Sequence, residues 1–315
     1  MRKFTKINPY QKINQIVIDG LQKSGLQWFK AWTNAKGDIE HPINRNSKRA
    51  YSGVNVFFLN ASCVQAGYKS NEWLTYVGAK KLGGSVRRGE KSTCVVRQLI
   101  SFKIDGKWYL EAQIPAGRTK KDATQLAFNI ATNNVFNVDQ IDGVEACREI
   151  IEGATEDNLD VKPIDTCEKI ISDYVLSSNV KIREVNSNEA FYSPNRDMIQ
   201  MPTKKQFAEK TSVDDYYKTL FHEMLHSTGH ESRLNRFKND GNQEDKVSYS
   251  KEELVAEIGA MYLVSIAKIN PQDNERNSQA YINGWIKHIK TSHEKSLVSA
   301  MTQAQKGVKL ILTNS

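Results

Sequence analysis

The sequence predicts an α+β fold in two domains, and three observations carry that expectation. At 315 residues the chain is longer than one hydrophobic core of usual size requires. Its charge is split: residues 1–140 hold 22 Lys and Arg against 9 Asp and Glu, a net +13, whereas the rest holds 22 against 27, a net −5. A β-branched stretch from Thr93 to Ile114, broken by a hairpin signal, lies between segments of helical spacing. The expected units are a basic α+β domain over 1–140, an acidic linker over 141–160, and a mainly helical domain with a small sheet over 161–315.

Ile13, Ile16, Val17 and Leu21 recur at helical spacing over 8–24, and Gly25 closes that helix. Trp28 and Trp32 follow in a stretch read as loop through Asn44. Residues 53–66 and 72–82 read as helices ending at Gly67 and at Gly83-Gly84. Strands over 93–102 and 107–114 flank Asp105-Gly106, a two-residue hairpin signal. A polar, basic loop spans 115–125, and 134–138 offers one more strand. Beyond the linker come a helix over 165–177 and strands over 179–185 and 197–201, the second stopped by Pro202. A long helix spans 212–228, with Ser212 as N-cap, Asp214 and Asp215 in its first turn, and Gly229 at its end. A polar loop over 235–248 leads to helices near 250–268, 276–291 and 294–312.

Composition narrows the class. Hydrophobic content of 39% and charged content of 25% are ordinary for a globular domain. No apolar run approaches the ~20 residues of a membrane span. Met1-Arg2-Lys3-Phe4 is basic, but no apolar signal core follows it, so a cytoplasmic location or delivery by other machinery is expected. Cys63, Cys94, Cys147 and Cys167 lack knuckle spacing and read as reduced, mostly buried thiols.

His222-Glu223-Met224-Leu225-His226 matches HExxH. Four residues apart on a helix, the two imidazoles share a face and can reach one ion at ~2.0–2.1 Å. Glu223, beside the first ligand, can take a proton from a water polarised by a zinc ion (Zn2+). Read structurally, the motif is a surface helix with two incidental histidines. The apolar stripe of Tyr217, Leu220, Phe221, Met224 and Leu225 argues instead for a buried helix.

A hydrolytic site needs a third ligand. His230 is nearest in sequence, but Gly229 turns the chain before it. A glutamate from the helix opening at Lys251 is the other common solution, and Glu253 and Glu257 lie one turn apart there. Glu253 is the preferred ligand, with Glu257 orienting a histidine or taking the ligand role itself.

In order along the chain stand Asn44, Tyr51-Ser52-Gly53-Val54-Asn55, Trp73, GGSVRRGEKS from Gly83, Phe191-Tyr192, Met198 to Pro202, HEMLHSTGHESRLNR from His222, and EELVAEIGA. Together with a tail from Ala280 through Trp285 to Gln305, this set resembles the ArdC antirestriction family, relatives of the TraC primase region of plasmids and phages. The resemblance implies an N-terminal domain that binds single-stranded DNA and a C-terminal zincin-like metallopeptidase domain. It implies His222 and His226 as ligands, Glu223 as acid/base, a downstream glutamate, and protection of incoming DNA from restriction.

The charge argument stands without a family. Lys and Arg neutralise phosphates, and aromatic rings stack on unpaired bases. Trp28, Trp32, Trp73 and Trp108 all lie in the basic half. Arg45, Lys48, Arg49 and Tyr51 interleave cations with a ring, Asn55 follows, and Lys80, Lys81, Arg87, Arg88 and Lys91 form a second cationic group. GSVRRGEKS from Gly84 nearly fits a phosphate-binding loop, but Glu90 occupies the lysine position. Two readings of function result. One is a DNA-binding metallopeptidase acting on a DNA-bound protein. The other is a binding protein that shields DNA sterically, its zinc site structural or vestigial. A metal-dependent nuclease is the weaker third reading, because a single His₂Glu site suits it less well than paired carboxylates with two metals.

Overall fold

A computed structural model describes residues 8–24, 42–147, 163–237, 245–271 and, with short breaks, 283–313. Trp28, Trp32, Trp285 and most of the expected linker lie outside the described residues. Among the described residues no helix is long and apolar enough to cross a membrane.

Helix α1 (Pro9–Ser24) starts where Asn8 accepts the Tyr10 amide at 3.0 Å and Pro9 pre-sets the first turn. Its stripe of Ile13, Val17, Ile18 and Leu21 is buried. Strand β1 (Ile43–Asn44) precedes α2 (Val54–Ala66). The span read as one helix over 72–82 is a strand followed by a helix: β2 (Glu72–Leu74), then α3 (Tyr76–Lys81). Trp73 and Leu74 are fully buried, and that packing overrides helical propensity. Thr75 then caps α3 by accepting the Gly78 amide at 3.0 Å.

Strand β3 (Ser85–Val86) leads to β4 (Thr93–Ile104), which turns into β5 (Lys107–Leu110) through Asp105 and Gly106, both at positive φ (49° and 77°). Strand β6 (Gln125–Asn137) is far longer than the five residues expected, and it pairs with β4 from Thr93↔Val135 to Lys103↔Gln125. Leu126, Phe128 and Ile130 carry its two-residue period, diluted by Ala127 and Asn129 between them. The sheet order is β1-β2-β6-β4-β5, and β7 (Ile141–Asp142) pairs with β3.

The C-terminal half opens with α4 (Pro163–Ser178) and a sheet ordered β8-β10-β9, from β8 (Lys181–Val185), β9 (Phe191–Ser193) and β10 (Met198–Pro202). Strand β9 and the short α5 (Lys204–Lys210) are additions to the elements the sequence suggested. Helices α6 (Val213–Ser227), α7 (Asp245–Ala267) and α8 (Ser296–Leu312) follow, and the described residues between 283 and 291 are helical too.

One large core runs through both halves. Ile13, Val17, Val54 and Phe57 belong to the same buried cluster as Phe221, Leu225, Tyr262 and Met301. The Phe57 and Tyr262 rings meet edge to face, centroids 5.4 Å apart.

Candidate metal centre

Ser212 caps α6 by accepting the Asp215 amide at 3.2 Å. The buried stripe of Tyr217, Leu220, Phe221, Met224 and Leu225 fixes the rotation of the helix and leaves His222 and His226 on the flank facing α7. Two glycines permit that approach. A Cβ on Gly259 of α7 would stand 2.5 Å from Leu225 Cγ, and one on Gly307 of α8 would stand 2.7 Å from Leu225 Cδ1.

Across this contact α7 supplies Glu253. Its carboxylate lies 3.4 Å from Nε2 of both His222 and His226, and the two Nε2 atoms are 3.0 Å apart. A tetrahedral ion with ligands at 2.0–2.1 Å needs its donors ~3.3 Å from one another, and the three side chains stand close to that spacing, one Glu253 oxygen facing each imidazole. Among the described residues this trio is the one group of three or more His, Cys, Asp or Glu placed to hold an ion.

The opposite ring nitrogens are anchored too. Nδ1 of His222 lies 2.9 Å from Glu257, and Nδ1 of His226 lies 3.5 Å from Glu252. Arg236 donates to both Glu252 oxygens, at 3.0 and 2.6 Å, and to the Leu225 carbonyl at 2.7 Å. Sequence reasoning passed over Glu252 and Arg236. Their signal was a carboxylate one position before Glu253 and an arginine ten positions after His226.

Electrostatics follow the geometry of the metal-free chain. Burial of His222 works against its charge, but hydrogen bonds to Glu253 and Glu257 outweigh burial and push its pKa up to about 10. His226 moves the same way: burial opposes the shift, and Glu252 and Glu253 drive it. Burial acts against Glu253 as well, yet the two imidazoles hold its carboxyl well below the usual range. Burial dominates at Glu223 and raises its pKa, while the histidines and the Tyr192 amide pull it down.

Strand β9, which supplies that amide, is tied in place. Tyr192 donates its hydroxyl to Asp197 at 2.8 Å, and Arg233 pairs with both Asp197 oxygens and donates to the Ser227 carbonyl at 2.8 Å. His230 turns to this side: its Nδ1 is 2.8 Å from Ser232 Oγ and 4.0 Å from Asp197, apart from the Glu253 trio.

The expected nucleic-acid residues divide into two groups. Trp73 is fully buried, with Nε1 on Asn71 at 2.7 Å, so it has no face for a base. Asn55 is buried, clamping the Val96 amide and carbonyl at 2.6 and 2.8 Å. These two expectations are corrected: both residues serve packing. Arg45 pairs with Glu72 at 3.1 Å, Lys48 donates to Cys147 Sγ at 2.8 Å, and Arg87 pairs with Glu90 and Asp142 at 3.2 and 3.4 Å. Arg49, Lys80, Lys81, Arg88 and Lys91 are exposed, and Tyr51 is half-buried. Trp108, on β5, is exposed beside Lys103, whose Nζ is 5.9 Å from the ring centroid.

Comparison with known proteins yields matches over both halves. A model described as the N-terminal domain of anti-restriction factor ArdC covers residues 7–136, and one described as a zincin-like metallopeptidase covers 169–303. DNA primase TraC of Escherichia coli is 30% identical over 292 residues, which is 89% of this chain and 25% of TraC. The chain thus spans about a quarter of that relative's length. Two crystal structures of antirestriction protein ArdC from plasmid R388 superpose with a TM-score of 0.65 over 98% of both chains. The metal-free form is 29% identical and the Mn(II)-bound form 30%.

Proposed function

The chain belongs to the ArdC family of antirestriction proteins and carries its zincin-like domain, and from that premise we propose that it binds single-stranded DNA and hydrolyses peptide bonds. The observation that carries the peptidase reading is the trio of His222, His226 and Glu253 at tetrahedral spacing, with the carboxylate of Glu223 beside the first ligand. A Zn2+ ion held there would supply Lewis acidity to water and to a peptide carbonyl.

The protein groups have separable roles in this reading. Glu257 and Glu252 hold the two rings with Nδ1 outward and Nε2 toward the ion. Glu223 accepts a proton from the attacking water and returns it to the leaving amine. A backbone hydrogen bond from Tyr192 helps to hold its carboxylate. The basic half supports the DNA reading through a net +13 over residues 1–140, exposed Arg49, Lys80, Lys81, Arg88 and Lys91, and exposed Trp108. The substrate class is a protein bound to incoming plasmid or phage DNA in the host cytoplasm.

One experiment tests the whole reading. The metal-loaded chain is incubated with and without single-stranded DNA and with candidate DNA-bound proteins, and new peptide termini are sought by mass spectrometry. Cleavage in the wild type and none in Glu223→Gln is the expected result. Equal fragments from both proteins would remove Glu223 from the chemistry.

A further inference from the structure

A groove of about 570 Å3 runs between the two halves, and both line it. Tyr10 of α1 and the turn entering α2 form one wall, with Val96 of β4 and Ile130 of β6 as an apolar floor. The other wall belongs to the zincin-like half: Lys295, just ahead of α8, and Lys306 along it. Both lysines are exposed, and Lys295 Nζ lies 5.4 Å from the centroid of the Tyr10 ring.

The floor continues outward. The β4–β6 register places Ile100 and Leu126 on the same sheet face as Val96 and Ile130, and both are exposed, at 39% and 53%. The groove therefore has an apolar floor, with a ring and two cations at its rim and further exposed apolar side chains on the same sheet face. Its volume suits a base-sized group, within the ~300–1,000 Å3 of small-ligand pockets. Unpaired bases need an apolar or aromatic surface, and their phosphates need cations. A duplex hides the base faces that such a floor would stack on.

We propose that this groove is part of the single-strand path, so that α8 of the zincin-like half belongs to the DNA-binding surface. The inference rests on the DNA-binding reading above and adds to it the site and the participation of the second half. The turn Tyr51 to Asn55 thereby lines the DNA path from Ser52 to Asn55, with the Asn55 side chain buried there and held by the Val96 backbone. The helix that would touch the strand also meets Leu225, within the HExxH segment, through Gly307.

The test uses the full chain and a fluorescein-labelled oligothymidine, with fluorescence anisotropy read over a salt series. Lys295→Ala/Lys306→Ala should weaken binding roughly tenfold and make the salt slope shallower by about 1.4, two contacts at ~0.7 each. Tyr10→Ala should weaken binding and leave the slope unchanged. Circular dichroism and metal content report whether the variants are folded. Should the wild type bind while both variants keep its affinity and slope, the inference fails and the DNA reading stands. A wild type that does not bind the oligonucleotide defeats both. Displacement of the oligonucleotide by polyglutamate as readily as by unlabelled oligothymidine would assign the groove to an acidic peptide and overturn the inference.

Discussion

Glu257 Oε2 lies 2.9 Å from Nδ1 of His222, on the side of the ring opposite Glu253. Two carboxylates one turn apart on α7 thus take different tasks, one facing the prospective ion and one holding the ring that faces it. Glu252 repeats the second task at His226, with Arg236 balancing its charge.

Metal analysis separates these tasks. Single alanine variants of His222, His226 and Glu253 should lose the one metal per chain that the wild type takes up. Glu257→Gln and Glu252→Gln should keep that stoichiometry and lose roughly 10- to 100-fold in affinity, read by chelator competition. If Glu257→Ala loses the metal and Glu253→Ala retains it, the two roles are exchanged.

Glu223→Gln should preserve fold and metal content and lower peptidase turnover by roughly 10²- to 10⁴-fold. The amide is nearly isosteric with the carboxylate but cannot accept the water's proton. Turnover close to that of the wild type would require another base.

Helix α6, its cap and its buried stripe were legible in the sequence because capping chemistry and helical periodicity are local. So was the Asp105-Gly106 hairpin. The strand at Glu72–Leu74 was not, because Trp73 is drawn into a core assembled from distant segments. The same burial removed Trp73 from the base-stacking candidates. The extent of β6 was visible in the alternation of Leu126, Phe128 and Ile130, but its polar neighbours obscured it. Glu252 and Arg236 lie 16 residues apart, and only the approach of α7 to α6 gives them a common purpose. The continuity of the core across the halves had no sequence signal at all.

Packing between these helices makes Gly259 and Gly307 sensitive. Alanine at either position would drive a methyl into Leu225, whose neighbours in the motif are Met224 and His226. Each variant should lose about 1–3 kcal/mol of stability, because overpacking at a close helix contact forces rotamer and backbone shifts. Leu225→Ala combined with Gly259→Ala should recover part of the loss from overpacking. Urea unfolding monitored by circular dichroism checks both statements. Unchanged midpoints in the single glycine variants would show that α7 and α8 can move apart freely.

Metal affinity should rise with pH, and the site's own charges give the sign. In the metal-free chain His222 is pushed up from 6.5 to about 10, with hydrogen bonds to Glu253 and Glu257 overcoming burial. The imidazolium therefore predominates at neutral pH, and a metal has to displace its proton. One displaced proton makes apparent affinity climb about tenfold per pH unit. The climb should run through the neutral range and flatten only near pH 10. The metal-free fold should show the opposite trend. A folded-state pKa above the unfolded value gives stability that is complete below about pH 6.5 and lost as pH rises through about 10. The gap in thermal midpoint between metal-loaded and metal-free protein should consequently widen with pH. Calorimetry in buffers of different ionisation enthalpy counts the protons released on metal binding. A count of zero at neutral pH would show that His222 is already neutral there, and that its two carboxylate neighbours do not govern the site.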